Sequence, residues 1–182
     1  MTKRRRDAVS RVAALVEWDG STGGVDVASL EAELGTQLPT DYRFLTETFP
    51  YGLFQDWLQL LHPHWMRDSA AFASWIRQWC AIQRDAKASV APTFPYDFFP
   101  DPGGLLPWAD INGDIQFYWV ARGEPDTWPV VVGDRALGEA SDVYSMPTAE
   151  FLEALLNGTV APPILEGFHE ALTARPVTFE PI

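Results

Sequence analysis

The feature of this chain that most constrains its fold is a change of period. Before residue 91 the apolar residues recur at helical spacing, and after residue 104 they alternate. The two regimes meet in the segment 91–104, whose four prolines and two glycines mark an irregular loop. On the helical side, a first helix is expected over about 7–18, with Val9, Val12, Ala13 and Val16 on one face, and the 20–24 stretch ends it. A second begins near the N-cap residue Asp26, carries Val27, Leu30 and Leu34, and closes on Gly35. Pro39 opens a third, which Pro50 stops; Leu38, Tyr42, Leu45 and Phe49 share its buried face. Residues 54–61 read as a strand. A long helix follows over roughly 68–87, with Phe72, Trp75, Ile76, Trp79 and Ile82 as its apolar stripe.

On the alternating side, Ile115, Phe117 and Trp119 interleave with Gln116, Tyr118 and Val120. Asn112-Gly113 stands just before them. Both residue types accept positive φ, so the pair predicts a type I′ hairpin turn. Residues 128–132 form the next strand, and 143–144 a short one. A closing helix spans about 147–157, with Phe151, Leu152, Leu155 and Leu156 inward and Gly158 as its terminator. Helices, then an antiparallel meander, then a helix make an α+β order. The expectation is one domain over 1–182, its helices packed on a mostly antiparallel sheet.

Sites of chemistry are sparse in this pattern. His62-Pro63-His64, with Asp68 nearby, is the only histidine pair; it has no Cys partner close by and no HExxH or CxxC spacing, and reads as a turn into the long helix. No serine sits in a GxSxG elbow, and no GxxxxGK[ST] or GxGxxG loop is present. Cys80, the single cysteine, lies among Trp79, Ala81 and Ile82 as a buried, inert thiol would. One cysteine excludes an internal disulfide framework and points to a reducing compartment, the cytoplasm. The basic tract Lys3 to Arg6 is followed by Arg11 and Glu17, so no apolar core of a signal peptide forms, and no apolar run approaches the ~20 residues of a membrane span. No cofactor is indicated.

The net charge is −12, and it is unevenly placed: residues 1–87 carry 10 Lys and Arg against 11 Asp and Glu, residues 88–182 only 3 against 14. Such a second half repels nucleic acid. It suits either plain solubility or a surface that attracts a basic protein. On the second reading Asp97, Asp101, Asp110, Asp114, Glu124 and Asp126 form an exposed acidic face. Of the eight tryptophans, Trp57, Trp75, Trp79 and Trp119 are assigned to the core. Trp18, Trp65, Trp108 and Trp128 are candidates for partial exposure, with Trp108 and Trp128 beside the acidic face as interface anchors. The same carboxylates offer a weaker alternative, a metal-assisted hydrolase.

Two stretches carry a family resemblance. The first runs from Glu31 through Leu38-Pro-Thr-Asp-Tyr-Arg-Phe-Leu45, followed by Phe49-Pro-Tyr-Gly-Leu-Phe54. It resembles the N-terminal signature of the SUKH superfamily, an acidic helix joined to a Leu-Pro-x-Asp-Tyr motif and then an aromatic and a glycine. The second comprises Leu106-Pro-Trp-Ala-Asp-Ile-Asn-Gly-Asp114, Phe117-Tyr-Trp119 and Trp128-Pro-Val-Val-Val132. It is similar to that family's central hairpin, and Phe151-Leu152 to its closing segment. The likeness covers about 26–158, while residues 65–87 and 91–104 depart from it. It implies helices on a mixed or antiparallel sheet and a non-catalytic binding role. Members include a fungal regulator of cell-wall synthesis and bacterial immunity proteins that neutralise toxins, often nucleases. The expected partner is a protein, a basic toxin domain, with no nucleic acid and no membrane; the alternative is a regulatory adaptor without a toxin.

Overall fold

The computed structural model describes residues 2–20, 25–66, 68–138, 140 and 143–182. Its helices are α1 (Thr2–Leu15), α2 (Val27–Leu34), α3 (Thr40–Thr48), α4 (Ser69–Val90), α5 (Thr148–Leu156) and α6 (His169–Thr173). Its strands are β1 (Gly52–Phe54), β2 (Leu58–Leu60), β3 (Leu105–Ile111), β4 (Ile115–Val120), β5 (Val130–Asp134) and β6 (Phe179–Pro181). All six strands join one antiparallel sheet in the order β5-β4-β3-β2-β1-β6, so the fold is α+β as the change of period implies. No helix among the described residues is long and apolar enough to cross a membrane.

The sheet is covered on both faces. Phe117 and Trp119 point toward α3 and α5: Phe117 packs on Phe151, and Trp119 meets Tyr42 edge-on and donates its indole N–H to Thr148 Oγ1 at 2.9 Å. Tyr118, one residue out of phase, points the other way, to Trp79 of α4 and to Phe98. A β-bulge interrupts the β3–β4 register between Pro107, opposite Tyr118, and Ala109, opposite Phe117. Trp108 is the extra residue. It packs with Phe117, Trp119 and Phe151, so two consecutive residues serve the α5 face. The bulge therefore turns Asp110 onto the α4 face, the re-aiming such irregularities produce.

The α3 helix shows why a Leu-Pro-x-Asp-Tyr stretch has structural value. Pro39 and Pro147 stand at the N-caps of α3 and α5, and neither has a side chain able to cap. Carboxylates from elsewhere do it instead. Asp126 accepts from Thr40 N at 2.7 Å and from Thr40 Oγ1 at 3.1 Å; Asp41 accepts from Ala149 N at 2.9 Å. Arg5, buried, binds both acids, Asp41 at 3.2 Å and Asp126 at 3.4 Å, and donates to the Asp126 carbonyl. Tyr42 donates its hydroxyl to Leu61 O, fastening α3 to the end of β2. Leu38, Tyr42, Leu45 and Phe49 are all buried.

Several boundaries differ from expectation for physical reasons. The α1 helix starts at Thr2 because its basic residues have partners: Arg4 and Arg11 pair with Glu150 and Glu153 of α5 at 2.9 Å, and Arg6 lies over the Phe44 ring at 4.3 Å. The 20–24 stretch expected to end it lies, from residue 21 on, outside the described residues. Residues 54–61 are not one strand but a hairpin, β1–β2, turning through Gln55 and Asp56 at positive φ. The Gln55 amide is spent inward, donating to Ala174 O at 2.7 Å and accepting from Thr178 N at 3.1 Å. Residue 144 contributes an isolated bridge to Val130 rather than a strand. Beyond Gly158, α6 and β6 extend the fold, with β6 pairing on β1; a Cβ on Gly52 would lie 2.4 Å from Glu180 O, so only glycine permits that approach.

Candidate functional site

The acidic residues singled out from the sequence do not gather into one face. Asp97 and Asp101 follow α4 at the Leu105 end of β3. Asp110 and Asp114 lie at its other end, roughly 17 Å away at strand rise. Three of the six are occupied. Asp97 pairs with Lys87 at 2.6 Å, Asp101 lies 4.0 Å from Arg84, and Asp126 holds Arg5 and caps α3. The tryptophan assignment also changes. Trp108 is fully buried, and Trp128 lies in the core against Trp119 with its N–H on Gly123 O at 3.1 Å, so neither is an exposed anchor. Conversely Trp57, expected inside, is 37% exposed, and Trp65 is 41% exposed. Trp75 and Trp79 are half-buried: the face that α4 buries is Phe72, Ala73, Ile76, Cys80 and Gln83, with Ile82 turned out.

Trp57, Trp75 and Trp79, together with Trp65, whose exposure was expected, surround a groove of about 530 Å³ on the α4 face of the sheet. Its floor is one cross-strand row. Leu53 of β1 pairs with Gln59 of β2, Gln59 with Asp110 of β3, and Asp110 with Gln116 of β4. Residues directly opposite in a sheet point to the same side, so two amides and a carboxylate stand abreast. Trp57 and Trp65 from the loops flanking β2, and Trp75 and Trp79 from α4, form the walls. Trp65 meets Trp75 edge-on at 4.9 Å and stacks near Tyr51 at 6.5 Å. A smaller recess of about 60 Å³ between Tyr51, Leu61, Trp65 and Trp75 shares Gln59 and Asp110 with the groove.

The positive-φ turn at Asn112 and Gly113 ends the floor. Gly113 N donates to Asp110 Oδ1 at 2.9 Å, and Gln116 Nε2 donates to Gly113 O at 3.2 Å. Burial pushes the Asp110 carboxyl up, and the Gly113 N–H draws it back only in part. Among the described residues no cation lies within ion-pair distance of Asp110, and the Gln59 side chain has no hydrogen-bond partner.

The histidine pair behaves as a turn. His62 is buried; its Nε2 faces Thr46 O at 3.0 Å and must donate, while Nδ1 accepts from His64 N at 3.1 Å. Both ring nitrogens are thereby engaged, and Asp68 caps α4 through Ala70 N. Cys80 is buried, its thiol pushed up to about 12 by desolvation, which removes thiolate reactivity. Among the described residues no three His, Cys, Asp or Glu side chains converge as metal ligands would.

The signal that marks the groove was present in the sequence. Gln59, Asp110 and Gln116 are polar residues at alternate positions of otherwise apolar strands. The bulge at Trp108, invisible in the pattern, is what brings Asp110 into line with the other two. Comparisons with family models, with curated proteins and with solved structures return no match to this chain.

Proposed function

We propose that this protein is a non-catalytic binding module that docks another protein across the tryptophan-walled groove, in the manner of an immunity protein that occludes a toxin. One observation carries the reading: exposed Trp57 and Trp65 stand beside a cross-strand polar row whose carboxylate, Asp110, has no cation partner among the described residues. Tryptophans at the margin of a concave surface are the residue type that dominates interface energetics, and a few polar groups on its floor fix orientation. The floor of the groove lies on paired strands and two of its tryptophans on α4, so those parts cost little ordering on binding. The immunity role rests on the SUKH resemblance and the acidic net charge, which speeds encounter with a basic partner. On the same reading the protein works in the cytoplasm.

The test uses the immobilised full-length chain and a lysate of its native host. A protein retained by the parent should be lost with the Trp57→Ala/Trp65→Ala double variant, and that variant should keep the parent's far-UV circular dichroism and a cooperative melt. Expressed alone, that protein should arrest growth, and co-expression of this chain should restore it. Equal capture by parent and variant would remove the groove from the interface; a captured protein that is harmless alone would leave an adaptor in place of an immunity protein.

A further inference from the structure

The groove's floor and walls define the chemistry of what it takes. We infer that the groove seats an arginine side chain of the partner protein, its guanidinium over Asp110 and between the indoles. This inference rests on the proposed docking role and specifies its central contact. Asp110 is a partly buried carboxylate without a cation among the described residues, and burial leaves its charge poorly compensated. Gln59 and Gln116 flank it in register, one on each side, at the strand spacing of about 4.8 Å. Each carries an amide oxygen able to accept beside the carboxylate. A guanidinium presents five N–H donors in one plane and stacks on aromatic faces, whereas an ammonium presents a compact point charge. Trp65 and Trp75, perpendicular at 4.9 Å, offer one face and one edge at that point. A cation held near indole faces gains further from the ring quadrupole.

Charge around the groove agrees. Asp56 also lines it, and Glu180, paired with Leu53, extends the row at the β6 edge. Arg135 is the lone cation lining the groove among the described residues. It follows β5, beyond the Asn112–Gly113 turn, and makes no ion pair with Asp110. It sets a positive charge at the hairpin end of the groove.

The experiment is a titration of the ¹⁵N-labelled full-length protein with the blocked peptide acetyl-Gly-Arg-Gly-amide, and separately with its neutral isostere in which citrulline replaces arginine. Indole N–H resonances of Trp57, Trp65, Trp75 and Trp79 report occupancy. The arginine peptide should shift at least two of them saturably, and citrulline should bind about tenfold more weakly, the loss expected for one charge-assisted contact. Asp110→Asn keeps an acceptor for Gly113 N and should weaken the arginine peptide by a similar factor. Gln59→Leu, at a side chain with no internal partner, should weaken it several-fold without disturbing the fold. Equal shifts by the two peptides, binding unchanged in Asp110→Asn, or no saturable indole shift overturns the arginine seat. A host protein captured through Trp57 and Trp65 but indifferent to Asp110→Asn would leave the docking role standing and sink this inference. Arginine binding without any captured protein would do the reverse.

Discussion

Burial shifts the titration of His62 and of Asp110 in opposite directions. Burial holds the His62 ring at about 4, below its ordinary value near 6.5, and the contact with Thr46 O offsets this only in part. Between those values the unfolded chain binds a proton that the folded one refuses. The stability from neutral His62 is thus complete above about pH 6.5 and is lost as pH falls toward 4, roughly 3 kcal/mol at 1.4 kcal/mol per unit. Urea unfolding at pH 7 and pH 4.5 should show this acid loss in the parent and a shallower one in His62→Gln; equal slopes would refute it. Asp110 runs the other way. Its folded carboxyl is raised by burial, so the folded state takes up the proton first. Its contribution is most favourable below the unfolded carboxyl value and is lost as pH rises through the folded one. At neutral pH its ionised form is a cost the fold tolerates, as binding sites commonly require. Asp110→Asn should therefore melt above the parent at pH 7, the advantage disappearing in acid. A variant less stable than the parent at pH 7 would show that the carboxylate is structurally paired.

Two hairpins of the same sheet separate local from imposed structure. Asn112 and Gly113 sit at φ of 54° and 73°, and Asp114 N closes the turn on Ile111 O at 3.1 Å. Pairing resumes at Ile115, so the loop has three residues rather than the two of a plain type I′ hairpin. A Cβ on Gly113 would meet nothing within 4 Å, so the cost of Gly113→Val is conformational alone, roughly 1–3 kcal/mol for a β-branched residue in the left-handed region. Chemical denaturation measures it directly, and an unchanged midpoint would mean that the turn is held from elsewhere. Because Asn-Gly carries its own preference for positive φ, this turn was legible in the sequence. The Gln55–Asp56 turn was not. Gln55 takes φ of 52° because its amide is drawn into the C-terminal segment, to Ala174 O and Thr178 N, contacts that exist only once the chain has folded. The α4 stripe misled for a related reason. Trp75 and Trp79 share helical spacing with Phe72 and Ile76, and periodicity cannot tell the centre of a buried face from the margin that lines a groove. The site was missed for the same cause: its floor depends on a bulge and its walls on where α4 stops covering the sheet.

At the scale of the whole molecule, the charge asymmetry between the two halves is partly an internal matter. Three of the cations of α1 face carboxylates of the second half: Arg4 with Glu150, Arg11 with Glu153, and Arg5 with Asp126 as well as Asp41. The order of helices and strands could be read from apolar period, because each element buries one face. These pairings could not, since they join residues more than a hundred positions apart and no local pattern encodes them. The two exposed pairs are worth little, about 0.2–1 kcal/mol each. Arg5 is different: removing a buried partner leaves Asp41 desolvated and unpaired, a loss of roughly 3–5 kcal/mol. The helix also buries Ala8, Val9 and Val12, and each valine returned to water costs about 1.5–3 kcal/mol. A variant lacking residues 1–15 loses five cations and one carboxylate, so its net charge moves from −12 to −16 and self-repulsion grows. These losses together rival the ~5–15 kcal/mol by which ordinary domains are stable. The basic tract is thus an integral layer of the fold, and the truncated chain should lose its cooperative thermal transition and bind a hydrophobic dye. A truncated chain that melts cooperatively within a few degrees of the parent would show instead that α1 is a detachable arm, free to carry its positive charge to something else.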